Sequence, residues 1–260
     1  MTFKRMLDIA MAQTAIDSSC DVSDLTCGKN KTVISKPNDK ARKYLSLPFI
    51  ADITTYGSGV VASVSEDFYD ITDRYINSYT AYHLFETPNM HVYSSELRKK
   101  GADICFMAEY WLPKGEDMPE CGCDLELRVM YPDKFRDLYL PEWSNALCRE
   151  RSHLDMIAVG AFDNGRLVAL SGASSDCDDM WQIGIDVLPE YRRRGIACTL
   201  TARIAKEIMY AGKVPFYCCA WSNVASARNA IKSGFVPAWV QMTAKKTEII
   251  DNMNREQLLL

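Results

Sequence analysis

The sequence predicts an α/β fold of the α+β kind, with a mixed sheet flanked by helices. Three patterns carry that reading. Residues 181–187 alternate as a strand, then pass through a short basic loop into a segment of helical period at 195–211. Residues 156–161 and 166–171 flank Asp163-Asn164-Gly165, and an Asn-Gly pair between apolar runs marks a hairpin. The composition, 48% hydrophobic and 25% charged over 260 residues, suits a globular chain with a sizeable core.

Taken in order, residues 4–15 read as a helix, with Met6, Ile9, Ala10 and Gln13 at helical spacing. Residues 50–56 and 60–64 read as strands joined by Gly57-Ser58-Gly59. Helices follow near 67–78 and 92–100, then a strand at 104–111. The stretch 112–120 holds two prolines, a glycine and several charges, which predicts a linker. Two domains are expected on either side of it, 1–115 and 122–260. In the second, 125–131 alternates as a strand, 132–145 and 146–151 read as helices, and the hairpin comes next. In the helix at 195–211, Ala197, Leu200, Ile204 and Ile208 form the apolar stripe, and Gly212 is placed to end it. A strand at 214–220, a helix at 225–233 stopped by Gly234, and a strand at 235–243 complete the order.

Several function classes are disfavoured. The net charge is −4, from 30 basic and 34 acidic residues, so no overall field attracts a polyanion, and no nucleic-acid partner is expected. No apolar run is long enough for a membrane span, and residues 1–9 lack the pattern of a secretory signal. A cytoplasmic, reducing setting is expected, with the ten cysteines as thiols. Cys20 and Cys27, and the pair Cys121 and Cys123, lack a second pair at zinc spacing, and His83, His91 and His153 are scattered, so no metal site is expected. Gly57-Ser58-Gly59-Val60-Val61-Ala62 fits a dinucleotide pattern, but the valines call for a strand where that motif requires a helix.

The informative stretch is the strand at 181–187, then Pro189-Glu190-Tyr191 and Arg192-Arg193-Arg194-Gly195-Ile196-Ala197, then the helix. The first amides of a helix have no internal partner and carry partial positive charge, which makes an anion site. Gly195 lets backbone approach a ligand without a Cβ, and three arginines surround the mouth. Gln182, Gly184 and Asp186 put a polar face on the strand, as beside a wet cleft.

On these residues, 181–234 resembles the GCN5-related N-acetyltransferase (GNAT) superfamily. Its Arg/Gln-x-x-Gly-x-Gly/Ala signature is met by Arg192, Gly195 and Ala197, and its second segment by Asn223, Gly234 and Phe235. The resemblance covers roughly 122–250. It implies the GNAT fold, a central, mostly antiparallel mixed sheet with two splayed strands, and it admits the first half as a degenerate second copy. It implies acetyl-CoA as co-substrate. Amides of Arg193, Arg194, Gly195, Ile196, Ala197 and Cys198 would hold the pyrophosphate, beside Arg192. Ile185, Asp186 and Val187 would pair with the pantetheine arm, and Asn223 would orient it. The activity implied is N-acetyl transfer by direct attack of an amine.

The family's tyrosine position is Ala230 and its glutamate position is Cys218. Another acid is needed, or the thiolate leaves unaided. Asp186 is the candidate general base, with a hydrogen-bonded structural role as the competing reading. Cys198, in the first helical turn, reads as a reactive thiol or a small packing residue. The missing residues motivate an alternative, a non-catalytic acyl-CoA sensor or interaction module. The acceptor expected is a small-molecule or peptide amine, and net acidity leans toward a cationic one such as a polyamine or aminoglycoside. The sequence leaves the oligomeric state open.

Overall fold

The computed structural model describes residues 1–257. In chain order the elements are helix α1 (Phe3–Ser18), strands β1 (Lys31–Ile34), β2 (Ala51–Thr55) and β3 (Val60–Val64), helices α2 (Tyr69–Ser78) and α3 (Thr87–Arg98), and strand β4 (Ala102–Pro113). Then come β5 (Glu126–Met130), the single turn α4 (Pro132–Phe135), β6 (Asp155–Asp163), β7 (Arg166–Ser174) and β8 (Met180–Val187). The chain continues with α5 (Ile196–Tyr210), β9 (Val214–Ala220), α6 (Val224–Lys232), β10 (Phe235–Lys246) and α7 (Thr247–Gln257). Among the described residues no helix is long and apolar enough to cross a membrane.

The chain divides into two compact units. One comprises Met1–Ala10 and Tyr110–Pro237; the other comprises Met11–Glu109 and the chain from Ala238 onward. This division differs from a boundary within 112–120. The proline- and glycine-rich stretch marks where regular backbone stops after Pro113, whereas the units change inside β4 and inside β10.

In the first unit β5, β6, β7 and β8 pair antiparallel in that order, and β9 joins β8 in parallel. The β6–β7 turn falls where Asn-Gly predicts it: Asn164 and Gly165 both take positive φ, 48° and 84°. Helix α5 covers one face of this sheet. Its buried stripe is Ile196, Leu200, Ile204 and Ile208, packed with Val159, Val168, Ala169 and Ile183. The stripe begins at Ile196 rather than Ala197. The opposite face is covered by 130–147, through Phe135, Trp143, Ala146 and Leu147 against Ala158 and Leu170.

The two helices expected over 132–151 are replaced by α4 and by 3-10 turns at Arg136–Leu138, Pro141–Trp143 and Arg149–Leu154. Pro141 explains the break. It offers no N–H to an α-helical ladder, and it drives Leu140 into extended geometry, φ −113° and ψ 157°. The irregular backbone this leaves at 144–146 becomes part of the site below.

In the second unit β1 runs parallel to β3, and β3–β2 and β2–β10 are antiparallel. Val60, Ala62 and Val64 pack with Ile76, Leu97 and Met242. Gly57-Ser58-Gly59 leads into β3, not a helix, so the dinucleotide pattern has no helix to act through. A buried polar cluster runs through this unit. Arg42 Nε donates to Asp17 Oδ2 at 2.5 Å, and Asp52 accepts from Thr54, Gln241 and Thr243. Burial pushes the Asp52 carboxyl up to about 6, although those three donors and Arg42 pull it down.

A carboxyl whose folded pKa lies above its unfolded value stabilises the fold at low pH. That contribution is complete below about pH 4 and is lost as pH rises through about 6. Urea unfolding from pH 4 to 7 should show wild type losing stability relative to Asp52→Asn across this window. Parallel pH profiles for the two proteins would contradict the assignment.

Candidate active site

The site starts where two parallel strands part. β8 and β9 pair from Met180↔Val214 to Ile183↔Tyr217, and no further, although β8 runs on to Val187 and β9 to Ala220. On its other side β8 stays paired with β7 up to Val187. Beyond Ile183 the β8 edge therefore has no strand partner on this side, and apart from the Val187 carbonyl, which Arg192 holds, it faces the gap as it would face an added strand. The splay that the resemblance implies is present.

At the end of β8 the chain makes one 3-10 turn, Pro189–Tyr191, and enters α5. Arg193 and Gly195 both take positive φ, 64° and 79°, so successive N–H groups converge as an anion-binding nest. Among the described residues, none accepts a hydrogen bond from the backbone amides of Arg193, Arg194, Gly195, Ile196, Ala197 or Cys198. A Cβ on Gly195 would stand 3.3 Å from the Gly122 carbonyl, so glycine answers both the φ and the close approach. The nest opens into a depression of about 200 Å³ lined by Val187, Arg192, Arg193, Gly195 and, from α6, Arg228 and Lys232. Unbonded amides, no Cβ and four cationic side chains fit a diphosphate.

The three arginines divide their work. Arg192 Nε donates to the Val187 carbonyl at 3.0 Å and still lines the depression. Arg193 lines it as well. Arg194 turns away, donating to the Glu190 carbonyl and lying 5.1 Å from the Tyr191 ring, so only its amide belongs to the nest. Asn223 caps α6 by accepting from Ser226 N at 3.0 Å, and it borders the cleft described next.

Asp186 is not a free base. Its Oδ2 accepts from the amides of Asn145 and Ala146, each at 2.9 Å, and its Oδ1 accepts from Asn145 Nδ2 at 2.6 Å. The carboxylate pins the 144–146 segment onto the sheet. The glycines there have the same cause. A Cβ on Gly184 would meet the Asn145 carbonyl oxygen at 1.8 Å, and one on Gly172 would meet that of Ala146 at 2.0 Å. These three hydrogen bonds favour the structural reading of Asp186 over the catalytic one.

Between this segment and the β8–β9 gap lies a cleft of about 400 Å³. Across its floor Asp155, Ser174 and Gln182 are register neighbours on β6, β7 and β8. Gln182 Nε2 donates to Cys218 Sγ at 3.1 Å. Ser174 Oγ is buried and has no hydrogen-bond partner among the described residues. Asp155 Oδ2 accepts from the Cys148 amide and from Tyr139 Oη, each at 3.0 Å. Burial pushes the Asp155 carboxyl up to about 6, with neighbouring Asp176 adding to the rise, against those hydrogen bonds and Arg151. At the gap, Tyr217 Oη and Ser226 Oγ lie 2.6 Å apart, and burial raises the phenol's pKa. Ala230, at the family's tyrosine position, is fully buried in the core.

Asp155 and Tyr217 escaped sequence reading because each acquires its role through strand register. The one available signal was an aspartate immediately before a predicted strand. The expectation that all ten cysteines are thiols is also corrected. Cys121 and Cys198 are disulfide-bonded, with Cα atoms 5.9 Å apart and 77 residues between them. The fold lays 118–123 along the head of α5, where Thr199 Oγ1 also donates to the Cys121 carbonyl. Cys198 thus contributes its amide to the nest and has no free thiol.

Residues 158–242 match the family of FR47-like proteins. That family is GNAT-related, and the match spans both motifs read from the sequence, so the recognition stands. No curated protein matches the chain. The chain is similar to solved structures of GCN5-related N-acetyltransferases from Sphaerobacter thermophilus (13% identity, 72% of this chain and 72% of that one, TM-score 0.47) and Kribbella flavida (16%, 60% and 63%, 0.46). A GNAT-family acetyltransferase from Colwellia psychrerythraea is also similar (14%, 60% and 62%, 0.43). The chain spans about two thirds of the length of the first solved relatives it matches.

Two substitutions test how the cleft is built. Gly184→Ala sets a methyl against backbone carbonyl and should destabilise the fold strongly. Asp186→Ala leaves two amides without their acceptor and should cost about 1–3 kcal/mol. Urea unfolding checks both, and wild-type stability in either variant would refute this account.

Proposed function

We propose that the first unit binds acetyl-CoA and transfers the acetyl group to an amine. The carrying observation is the run of unbonded amides at the head of α5, set at the mouth of the gap between β8 and β9. The nest, with Arg192, Arg193, Arg228 and Lys232, would hold the diphosphate. The open β8 edge would take the pantetheine amides. Acetyl-CoA supplies an activated acyl carbon as a thioester, so the C–N bond forms as the C–S bond breaks and coenzyme A departs as the thiol.

The chain's own part is proton handling and exclusion of water. An amine attacks only when neutral, so a base must receive its proton. Asp155 is the carboxylate in the cleft suited to this. A pKa near 6 leaves it ionised at neutral pH yet basic enough to accept. Ser174 and Gln182 stand between Asp155 and the gap; they would hold a bridging water, and the proton would pass to Asp155 through that water and the Ser174 hydroxyl. Tyr217, kept protonated by burial, would give a proton to the departing sulfur and be reprotonated through Ser226. Trp143 and Leu147, packed beneath the 144–146 segment, hold the cleft wall in place.

Calorimetry with acetyl-CoA, paired with thiol release against an amine panel, tests the reading. Arg228→Ala with Lys232→Ala should weaken acetyl-CoA binding about tenfold and reduce its salt dependence. The wild-type rate should fall as pH drops through about 6, because protonated Asp155 accepts nothing. Asp155→Asn should lose about a hundredfold or more in kcat while binding acetyl-CoA normally. Heat without thiol release for any amine would favour a non-catalytic acyl-CoA sensor. No heat at all would end the cofactor assignment.

A further inference from the structure

The thiol side of the cleft holds more than a phenol. Tyr217 is buried, yet it lines the cleft together with Ser226. Its Oη lies 2.6 Å from Ser226 Oγ. Burial raises the phenol's pKa, and hydrogen bonds from Ser226 and from Asn229 pull it down. A hydrogen bond lowers a phenol's pKa by donating to the phenolate. Ser226 and Asn229 are three residues apart on α6, which puts them on one face of that helix. The Asn229 amide is itself held in place. Its Nδ2 donates to Oγ1 of Thr201 on α5 at 2.9 Å, and Thr201 is fully buried. An amide NH2 carries two hydrogens, so a bond to Thr201 leaves one for the phenol.

A phenol has one hydrogen to give and two lone pairs to fill. An acid for a departing thiolate must keep that hydrogen aimed at the sulfur. A phenol that gave it to Ser226 would present only lone pairs to the thiolate. Two donors on the phenol oxygen prevent this, and they stabilise the phenolate that proton transfer leaves behind. One hydrogen bond satisfies a phenol buried for packing. A second donor, braced from a buried threonine, answers to the charge that appears on the oxygen during reaction.

We infer that Asn229 is a positioning residue for the acid: with Ser226 it donates to the Tyr217 oxygen, so that the phenol's only hydrogen is aimed at the departing sulfur. This rests on the acid role proposed for Tyr217 and adds the residue that orients the proton. As the C–S bond breaks, its electron pair stays on sulfur and the phenol proton moves there. Asn229 and Ser226 hold the phenolate until a proton from cleft water reaches it through the Ser226 hydroxyl. Asn229 moves no proton. With Ala230 at the family's tyrosine position, β9 supplies the acid and α6 supplies the groups that orient it.

Single-turnover thiol release at saturating acetyl-CoA, with the best amine of a panel, tests this. Saturation removes any effect on cofactor affinity, which matters because Asn229 also lines the diphosphate depression. Tyr217→Phe should lower the rate about hundredfold. Asn229→Leu should lower it about tenfold. Asn229→Asp, equal in size but an acceptor, should lower it at least as far, and it decides the matter if Asn229→Leu fails to fold. In the Tyr217→Phe background neither substitution should slow the reaction further, since no proton remains to aim. Equal losses with and without the phenol hydroxyl mean a structural role and overturn the inference. Full rate in the Asn229 variants beside a slow Tyr217→Phe also overturns it and leaves the acid role standing. Full rate in Tyr217→Phe removes the acid role and the inference together, while acetyl transfer survives. No thiol release with any amine, or no heat with acetyl-CoA, removes the reading beneath both.

Discussion

Six consecutive peptide N–H groups at the head of α5 lack an acceptor among the described residues, and the rest of the site is arranged around that deficit. A helix start always leaves orphan donors, but most are met by a side-chain cap. Here the residue before the helix is Gly195, which has no side chain to offer, and Arg193 joins it at positive φ so that the donors converge. Solvent satisfies such groups when no ligand does, so the arrangement is tolerable in isolation. It is useful only if an anion arrives. The hydrophobic stripe below, from Ile196 to Ile208, fixes the helix on the sheet and so aims the donors at the end of β8.

The second constraint is the incomplete pairing of β8 with β9. Continued pairing beyond Ile183 would leave neither a gap nor an open edge. The pairing ends beside Gly184, whose lack of a side chain lets the 144–146 backbone settle directly over the strand. Asp186 then fastens that backbone by collecting its amides. One short stretch of β8 therefore builds three surfaces: the main-chain edge toward the gap, the paired edge toward β7, and the glycine platform under the cleft wall. Pro141 contributes by breaking any helix that would run through it, and the 3-10 turn it opens ends at Trp143, before the amides that Asp186 collects.

This division explains what could be read from the sequence. Periodicity located most strands and the long α5, because one buried face imposes period two or period 3.6 on local residues. Asn164-Gly165 and Gly195 were legible because backbone geometry demands those residue types locally. Short β1 offered too little pattern, and α7, following β10 directly, carried no start signal that separated it from the strand. Asp186 was legible as polar but not as the partner of Asn145 and Ala146, since alternation reports that a side chain leaves the core but not what meets it outside. Asp155 and Ser174 become neighbours of Gln182 only through the register of three strands. The Cys121–Cys198 bond joins residues 77 apart, and nothing in either local sequence names the other.

What distinguishes Asp155 from Asp186 is physical rather than positional. Both are strand aspartates facing polar surroundings, and both accept backbone amides. Asp186 spends both oxygens on three donors and so is held as an acceptor in one place. Asp155 spends Oδ2 alone, lies in a more buried site near a second carboxylate, and is pushed toward neutral pH. Burial makes its charge costly, and an approaching ammonium would remove that cost by neutralising it. On the proposed reading, the same burial that would make an unpaired carboxylate a liability to folding would make this one responsive to a cation and able to take its proton. The neighbouring Arg151 guanidinium, paired with Asp176, offsets part of that cost.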